Sequence, residues 1–173
     1  MKKIMFVCHG NICRSPMAEF VFKNLVAKRG LDKEFYIRSS ATSSEEIGNG
    51  VYPPAAYELG RNNIPVDKEK RARRITREDY MEYDMIIVME QYNIRNLNAV
   101  AGFDPDNKIW KLLDFETPDY VEQCAGGDIS DPWYHGDFSK TYKEIVRGCE
   151  GLLKYLGYSE KRVEEEKNRH GLS

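Results

Sequence analysis

Short apolar runs alternate along the chain with segments whose apolar residues recur at helical spacing. Lys3-Ile4-Met5-Phe6-Val7 is short, apolar and followed by a glycine-containing turn, which predicts a buried strand over about 2–7. Met17, Phe20, Val21, Leu25 and Val26 then fall at helical intervals and predict a helix over about 16–29, with Ser15 as N-cap and Pro16 at the first position. A second strand is expected over about 34–40, and Pro53-Pro54 opens a helix ending near Gly60 or Asn62. Thr76, with Asp79 three residues on, caps a short helix that runs through Tyr83. Met85–Met89 reads as an apolar strand, Glu90–Val100 as a helix, Lys108–Leu113 as the last strand and Gly136–Tyr158 as a long amphipathic helix. Strands separated by helices indicate a parallel sheet covered on both faces, an α/β three-layer sandwich.

A chain of 173 residues suits one domain with a real core, expected over residues 1–158, with 159–173 as a charged, solvated extension. Lys and Arg number 26 against 28 Asp and Glu, so nothing global favours nucleic acid. No apolar stretch is long enough to span a membrane, and Met1-Lys2-Lys3 leads into a core strand rather than a signal peptide. Cys8, Cys13, Cys124 and Cys149 do not suggest a secreted disulfide framework. The expected setting is a reducing cytoplasm, with Cys124 and Cys149 structural.

The chemistry concentrates between the first strand and the first helix. Cys8-His9-Gly10-Asn11-Ile12-Cys13-Arg14-Ser15 sets a thiol and a guanidinium at the two ends of one short loop. A loop of this size can wrap a tetrahedral oxyanion, with its N–H groups turned inward and Arg14 on the oxygens. A helix N-terminus and a nearby cation favour thiolate over thiol, which makes Cys8 a candidate nucleophile. A strand-end cysteine is most often plain core. Gly10, Arg14 and Ser15-Pro16 tip the reading toward reactivity. The nest and the arginine supply electrostatic stabilisation, so no metal or other cofactor is expected. Cys8 and Cys13 lack a zinc-site spacing.

Val7-Cys8-His9-Gly10-Asn11-Ile12-Cys13-Arg14-Ser15-Pro16-Met17-Ala18-Glu19 resembles the signature of the low-molecular-weight protein tyrosine phosphatases. Asp131-Pro132-Trp133-Tyr134 is similar to that family's Asp-Pro-Tyr-Tyr, and Tyr83 to Met89 is similar to its central strand. The resemblance spans roughly residues 2–157, and the first two motifs together are specific. It implies a central four-stranded parallel sheet of flavodoxin-like order 2-1-3-4, with the phosphate loop after strand 1. It implies that Cys8 takes up the phosphoryl group, that Arg14 binds it, and that Asp131 protonates the leaving phenolate and then activates water. Substrate contacts are implied for His9, Gly10, Asn11, Ile12, Cys13, Ser15, Trp133, Tyr134 and Glu45. Ser15 is further implied to ease thiolate departure, and Ser39 to steady Asn11 in a strained, left-handed conformation. The implied partners are tyrosine-phosphorylated proteins, with inorganic phosphate and other oxyanions as competitors. A reversible Cys8–Cys13 disulfide is implied under oxidants.

Two positions depart from the family pattern. Lys70 stands where a histidine often supports the loop. Glu45 stands where a large, often aromatic residue forms one wall, and a carboxylate there opposes an anionic substrate. The run Lys68–Arg77 reads as a solvated basic surface, or as a field that steers anionic phosphoproteins. Rival readings are a protein-arginine phosphatase, whose relatives tend to carry threonine at the position of Ile12, and an arsenate reductase. The latter needs further cysteines, and none lies between Arg14 and Gln123. A cysteine phosphocarrier would not need Asp131, and a silent phosphate-binding module would lack the thiol or the acid.

Overall fold

The computed structural model describes residues 1–158, 168, 169 and 171. The expected charged extension therefore lies almost wholly outside the described residues. The strands are β1 (Lys2–Cys8), β2 (Phe35–Ala41), β3 (Met85–Val88) and β4 (Ile109–Lys111). All pair in parallel, in the order β2-β1-β3-β4. Side chains alternate between two cores. Ile4, Phe6 and Cys8 of β1 enter one, with Met85 and Ile87 of β3; Met5 and Val7 enter the other, with Ile86 and Val88. This is the two-residue period of a strand, and continuous apolar runs are what a sheet covered on both faces requires. Helices α1 (Arg14–Lys28), α2 (Pro53–Arg61) and α6 (Phe138–Tyr155) close the first core. Helices α3 (Arg77–Glu82) and α4 (Gln91–Ala101) close the second through Tyr80, Leu97 and Ala101. Between α4 and α6 lies the short α5 (Pro132–His135). Among the described residues no helix is long and apolar enough to cross a membrane.

The Thr76–Asp79 capping box forms as expected: Thr76 Oγ1 accepts from the Asp79 amide at 3.2 Å, and Asp79 Oδ2 accepts from the Thr76 amide at 2.8 Å. Three boundaries are corrected. Helix α1 begins at Arg14 with Cys13 in the N-cap position and no side-chain cap. Ser15 cannot cap because its hydroxyl is engaged behind Cys8, while Pro16 still sits in the first turn, where no helical N–H bond is required. The last strand stops at Lys111 because Asp114 Oδ2 takes the Lys111 amide at 2.8 Å and winds Leu112–Phe115 into a 3-10 turn. The long C-terminal helix is α6, which begins at Phe138 instead of Gly136. Gly136, with φ 73°, ends α5, and Asp137 Oδ1 accepts from the Lys140 amide at 2.9 Å to start α6.

Helix α6 crosses the 3-10 turn so closely that a Cβ at Gly151 would run into the Phe115 carbonyl. Alanine ordinarily favours a helix by about 1 kcal/mol over glycine. Here overpacking against backbone dominates, and Gly151→Ala is expected to lower stability by about 1–3 kcal/mol. Urea denaturation checks this through a reduced midpoint at unchanged slope.

Candidate active site

The loop from Cys8 to Arg14 joins the C-terminal end of β1 to the N-terminus of α1, where a parallel sheet presents its ligand sites. Its carbonyls are pinned outward. Those of Cys8, His9 and Ile12 accept from the amides of Thr42, Ser43 and Tyr52 at 2.9, 3.1 and 2.9 Å. In a trans peptide the next N–H points the opposite way, so the amides of His9, Gly10 and Cys13 face the concave side. The Asn11 amide lies 3.3 Å from Cys8 Sγ. Asn11 adopts φ 59°, the left-handed region that asparagine tolerates.

A buried polar chain supports this shape. Cys8 Sγ is 3.0 Å from Ser15 Oγ; Asn11 Nδ2 donates to Ser15 Oγ at 2.8 Å and to Ser39 Oγ at 2.9 Å. Ser39 Oγ donates to Glu19 Oε1 at 2.6 Å, and Glu19 Oε2 accepts from Lys23 Nζ at 2.6 Å. Lys70 completes the chain: its Nζ donates to the Ser39 carbonyl at 2.9 Å and lies 3.6 Å from Glu19 Oε1. Burial pushes the Lys70 ammonium below its ordinary value, with Glu19 opposing that shift. Lys70 thus ties the Ser39 carbonyl and Glu19 into this network. The basic run is accordingly not a uniform solvated face. Lys70 is turned inward, and Arg73 forms a two-point pair with Asp79 at 2.9 and 2.8 Å while its amide donates to Asn11 Oδ1.

Arg14 is 2% exposed. Its Nη2 lies 3.2 Å from Asp131 Oδ2 and 3.2 Å from Glu90 Oε1, and its Nη1 donates to the Ile129 carbonyl at 3.1 Å. Burial disfavours the guanidinium, but Glu90, Cys8 and Asp131 outweigh it and its pKa is raised. Asp131 Oδ1 also accepts from the Trp133 amide at 3.0 Å, which fixes the carboxyl at the start of α5. The segment before it hangs from Asp114, whose carboxylate takes the amides of Cys124 and Gly126 at 2.7 and 2.6 Å.

These groups surround one cavity of about 290 Å³. Every residue expected at the site borders it except Asn11, Ser15 and Ser39, which lie behind the thiol. For Asn11 and Ser15 the contact is therefore with the loop and the sulfur rather than along the wall. Burial, then the Cys8 charge, pushes the Cys13 thiol up to about 12, so this second sulfur is neutral at neutral pH. Trp133 and Tyr134 stand at the mouth, 57% and 86% exposed, and neither packs beneath the loop. Glu45 is tied to His9, Oε2 to Nε2 at 3.0 Å. Three contributors carried no expectation from sequence: Glu46 at the mouth, Glu90 behind Arg14, and Tyr52 beside Trp133. Glu90 immediately follows the apolar run of β3, at the strand's C-terminal end, which is the signal that could have found it. Among the described residues no group of three His, Cys, Asp or Glu side chains could hold a metal ion. The arrangement sets a thiol, a fixed cation and a carboxyl around one small cavity.

Comparison with known proteins agrees with the geometry. A family model described as low molecular weight phosphotyrosine protein phosphatase matches residues 3–168. The chain is 39% identical over 153 residues to the low molecular weight protein-tyrosine-phosphatase YfkJ of Bacillus subtilis, across 88% of this chain and 94% of that protein. The crystal structure of SP-PTP, a low molecular weight protein tyrosine phosphatase from Streptococcus pyogenes, superposes with TM-score 0.80 at 36% identity, covering 95% of this chain and 98% of that one. A mutant of the YwlE arginine phosphatase with a phosphorylated active-site serine superposes with TM-score 0.75 at 26% identity, covering 93% and 99%.

Proposed function

The chain belongs to the low molecular weight phosphotyrosine protein phosphatase family, and from that premise we propose that it hydrolyses phosphotyrosine in proteins through a phosphocysteine on Cys8. The observation that carries this reading is the convergence of Cys8, Arg14 and Asp131 on one cavity, with the Cys8 sulfur between the Asn11 amide and the Ser15 hydroxyl. In the first step the Cys8 thiolate forms a bond to phosphorus. The phosphorus–oxygen bond to the tyrosine breaks, and Asp131 gives its proton to the departing phenolate. In the second step water attacks phosphorus and loses a proton to the Asp131 carboxylate. The phosphorus–sulfur bond breaks, and thiolate and inorganic phosphate leave.

The loop amides and Arg14 stabilise charge on the transferring group, the main task in phosphoryl transfer. For Arg14 to meet the phosphate oxygens it exchanges its contact with Asp131, while Glu90 and the Ile129 carbonyl keep the guanidinium in place. The same exchange frees Asp131 for the ester oxygen. Ser15 donates to the sulfur and lowers the barrier to its departure. Residues 1–158 form the catalytic unit, working in the cytoplasm on phosphoproteins and inhibited by free phosphate, without metal or cofactor.

One observation favours a second reading. Glu45 and Glu46 place two carboxylates at the mouth, a setting suited to the guanidinium of phosphoarginine. Assay on phosphotyrosine, phosphoserine and phosphoarginine peptides decides. Preferential release of phosphate from phosphotyrosine is expected, whereas phosphoarginine as the sole good substrate transfers the assignment.

A further inference from the structure

The aromatic wall of the cavity is supported from a different part of the chain than the one that supplies it. Trp133 is more than half exposed, so the packing that holds its indole is sparse. Its ring partner among the described residues is Tyr52, at a centroid distance of 5.1 Å and an interplanar angle of 53°. Tyr52 is half-buried and lies in turn against Phe138, at 6.0 Å and 36°. Its backbone is fixed to the phosphate loop, because the Tyr52 amide donates to the Ile12 carbonyl at 2.9 Å. Pro53 and Pro54 follow directly and restrict the backbone from the other side.

We propose that Tyr52 is a positioning residue for aryl substrates: it holds the Trp133 indole as the surface against which a phosphotyrosine ring lies, and ties that surface to the loop that receives the phosphate. The inference rests on the phosphatase reading. Its logic is a division of labour. The phosphate of any substrate meets the loop and Arg14, which Tyr52 touches only through its backbone amide. The ring of the substrate meets Trp133, whose orientation depends on the Tyr52 side chain. Removing that side chain therefore weakens binding of the ring and leaves binding of the anion intact.

The test is Tyr52→Ala against Tyr52→Phe in the full chain. With phenyl phosphate, Tyr52→Ala is expected to raise KM by about 3- to 10-fold, the scale of one aromatic contact, with kcat close to the parent's. The inhibition constant of inorganic phosphate stays at the parent value, and Tyr52→Phe behaves as the parent. In a Trp133→Ala background Tyr52→Ala adds no further change. An unchanged KM, a phosphate constant that rises in step with KM, or full additivity with Trp133→Ala overturns the proposal. If Tyr52→Ala does not fold, Tyr52→Leu, which keeps bulk without a ring, carries the same comparison. If the parent hydrolyses no phosphate ester, the phosphatase reading fails by itself. Tyr52 is then read by acrylamide quenching of Trp133 in a Trp110→Phe background. Greater quenching in Tyr52→Ala than in Tyr52→Phe upholds the positioning role, and equal quenching overturns it.

Discussion

Cys8→Ser is expected to lower turnover of a phosphotyrosine peptide by at least about 10⁴-fold, the scale on which loss of a nucleophile acts in covalent enzymes. Serine keeps the size and polarity of the residue but is not ionised at neutral pH, and among the described residues no histidine or other base bonds the sulfur in a way that would activate a hydroxyl there. The groups on Cys8 Sγ are the Asn11 amide and the Ser15 hydroxyl, both hydrogen-bond donors to a thiolate. Binding of inorganic phosphate should survive, because the inward amides and Arg14 remain. Titration calorimetry with phosphate, run beside the kinetic assay, reads the two effects separately. Turnover that persists in the variant would falsify the assignment of the sulfur as nucleophile.

Asp131→Asn and Asp131→Ala should slow phenyl phosphate hydrolysis by about 10²- to 10³-fold, within the range contributed by a positioned general acid. The effect should shrink with 4-nitrophenyl phosphate, whose leaving group departs without a proton. Asp131 also accepts from the Trp133 amide and pairs with Arg14, so alanine removes a cap and an ionic contact as well as the acid. Asparagine retains an oxygen for the Trp133 amide, so it removes the acid and the charge facing Arg14 but keeps the cap. Equal rates for parent and asparagine variant on both esters would assign the carboxyl to structure alone.

Much of this architecture was legible along the chain because its signals are local. The apolar run of β1, the glycine turn after it and the Thr76–Asp79 box each depend on residues within a few positions of one another, and each formed where expected. The misreadings arose where one side chain had two uses. Ser15 is a good helix cap by type, but the thiol and Asn11 claim its hydroxyl. Asp114 looks like an ordinary surface acid, but it gathers the amides of Lys111, Cys124 and Gly126 and ends β4 early. Partners distant in sequence were the least visible. Glu90 reaches Arg14 across 76 positions, and Lys70 reaches the Ser39 carbonyl across 31. No spacing rule announces such meetings, since they follow from strand order and from where a parallel sheet brings its ends together.

Asn11 is held in its left-handed turn from three sides, by Ser15, Ser39 and the Arg73 amide. A receptor shaped this way is finished when the chain folds, so an arriving anion docks onto a settled surface instead of recruiting one. Encounter then has little to rearrange beyond the Arg14–Asp131 contact. On the proposed mechanism, the slow steps are therefore expected to be bond breaking at phosphorus or the escape of free phosphate, and a burst of phenolate in rapid-mixing kinetics would separate the two.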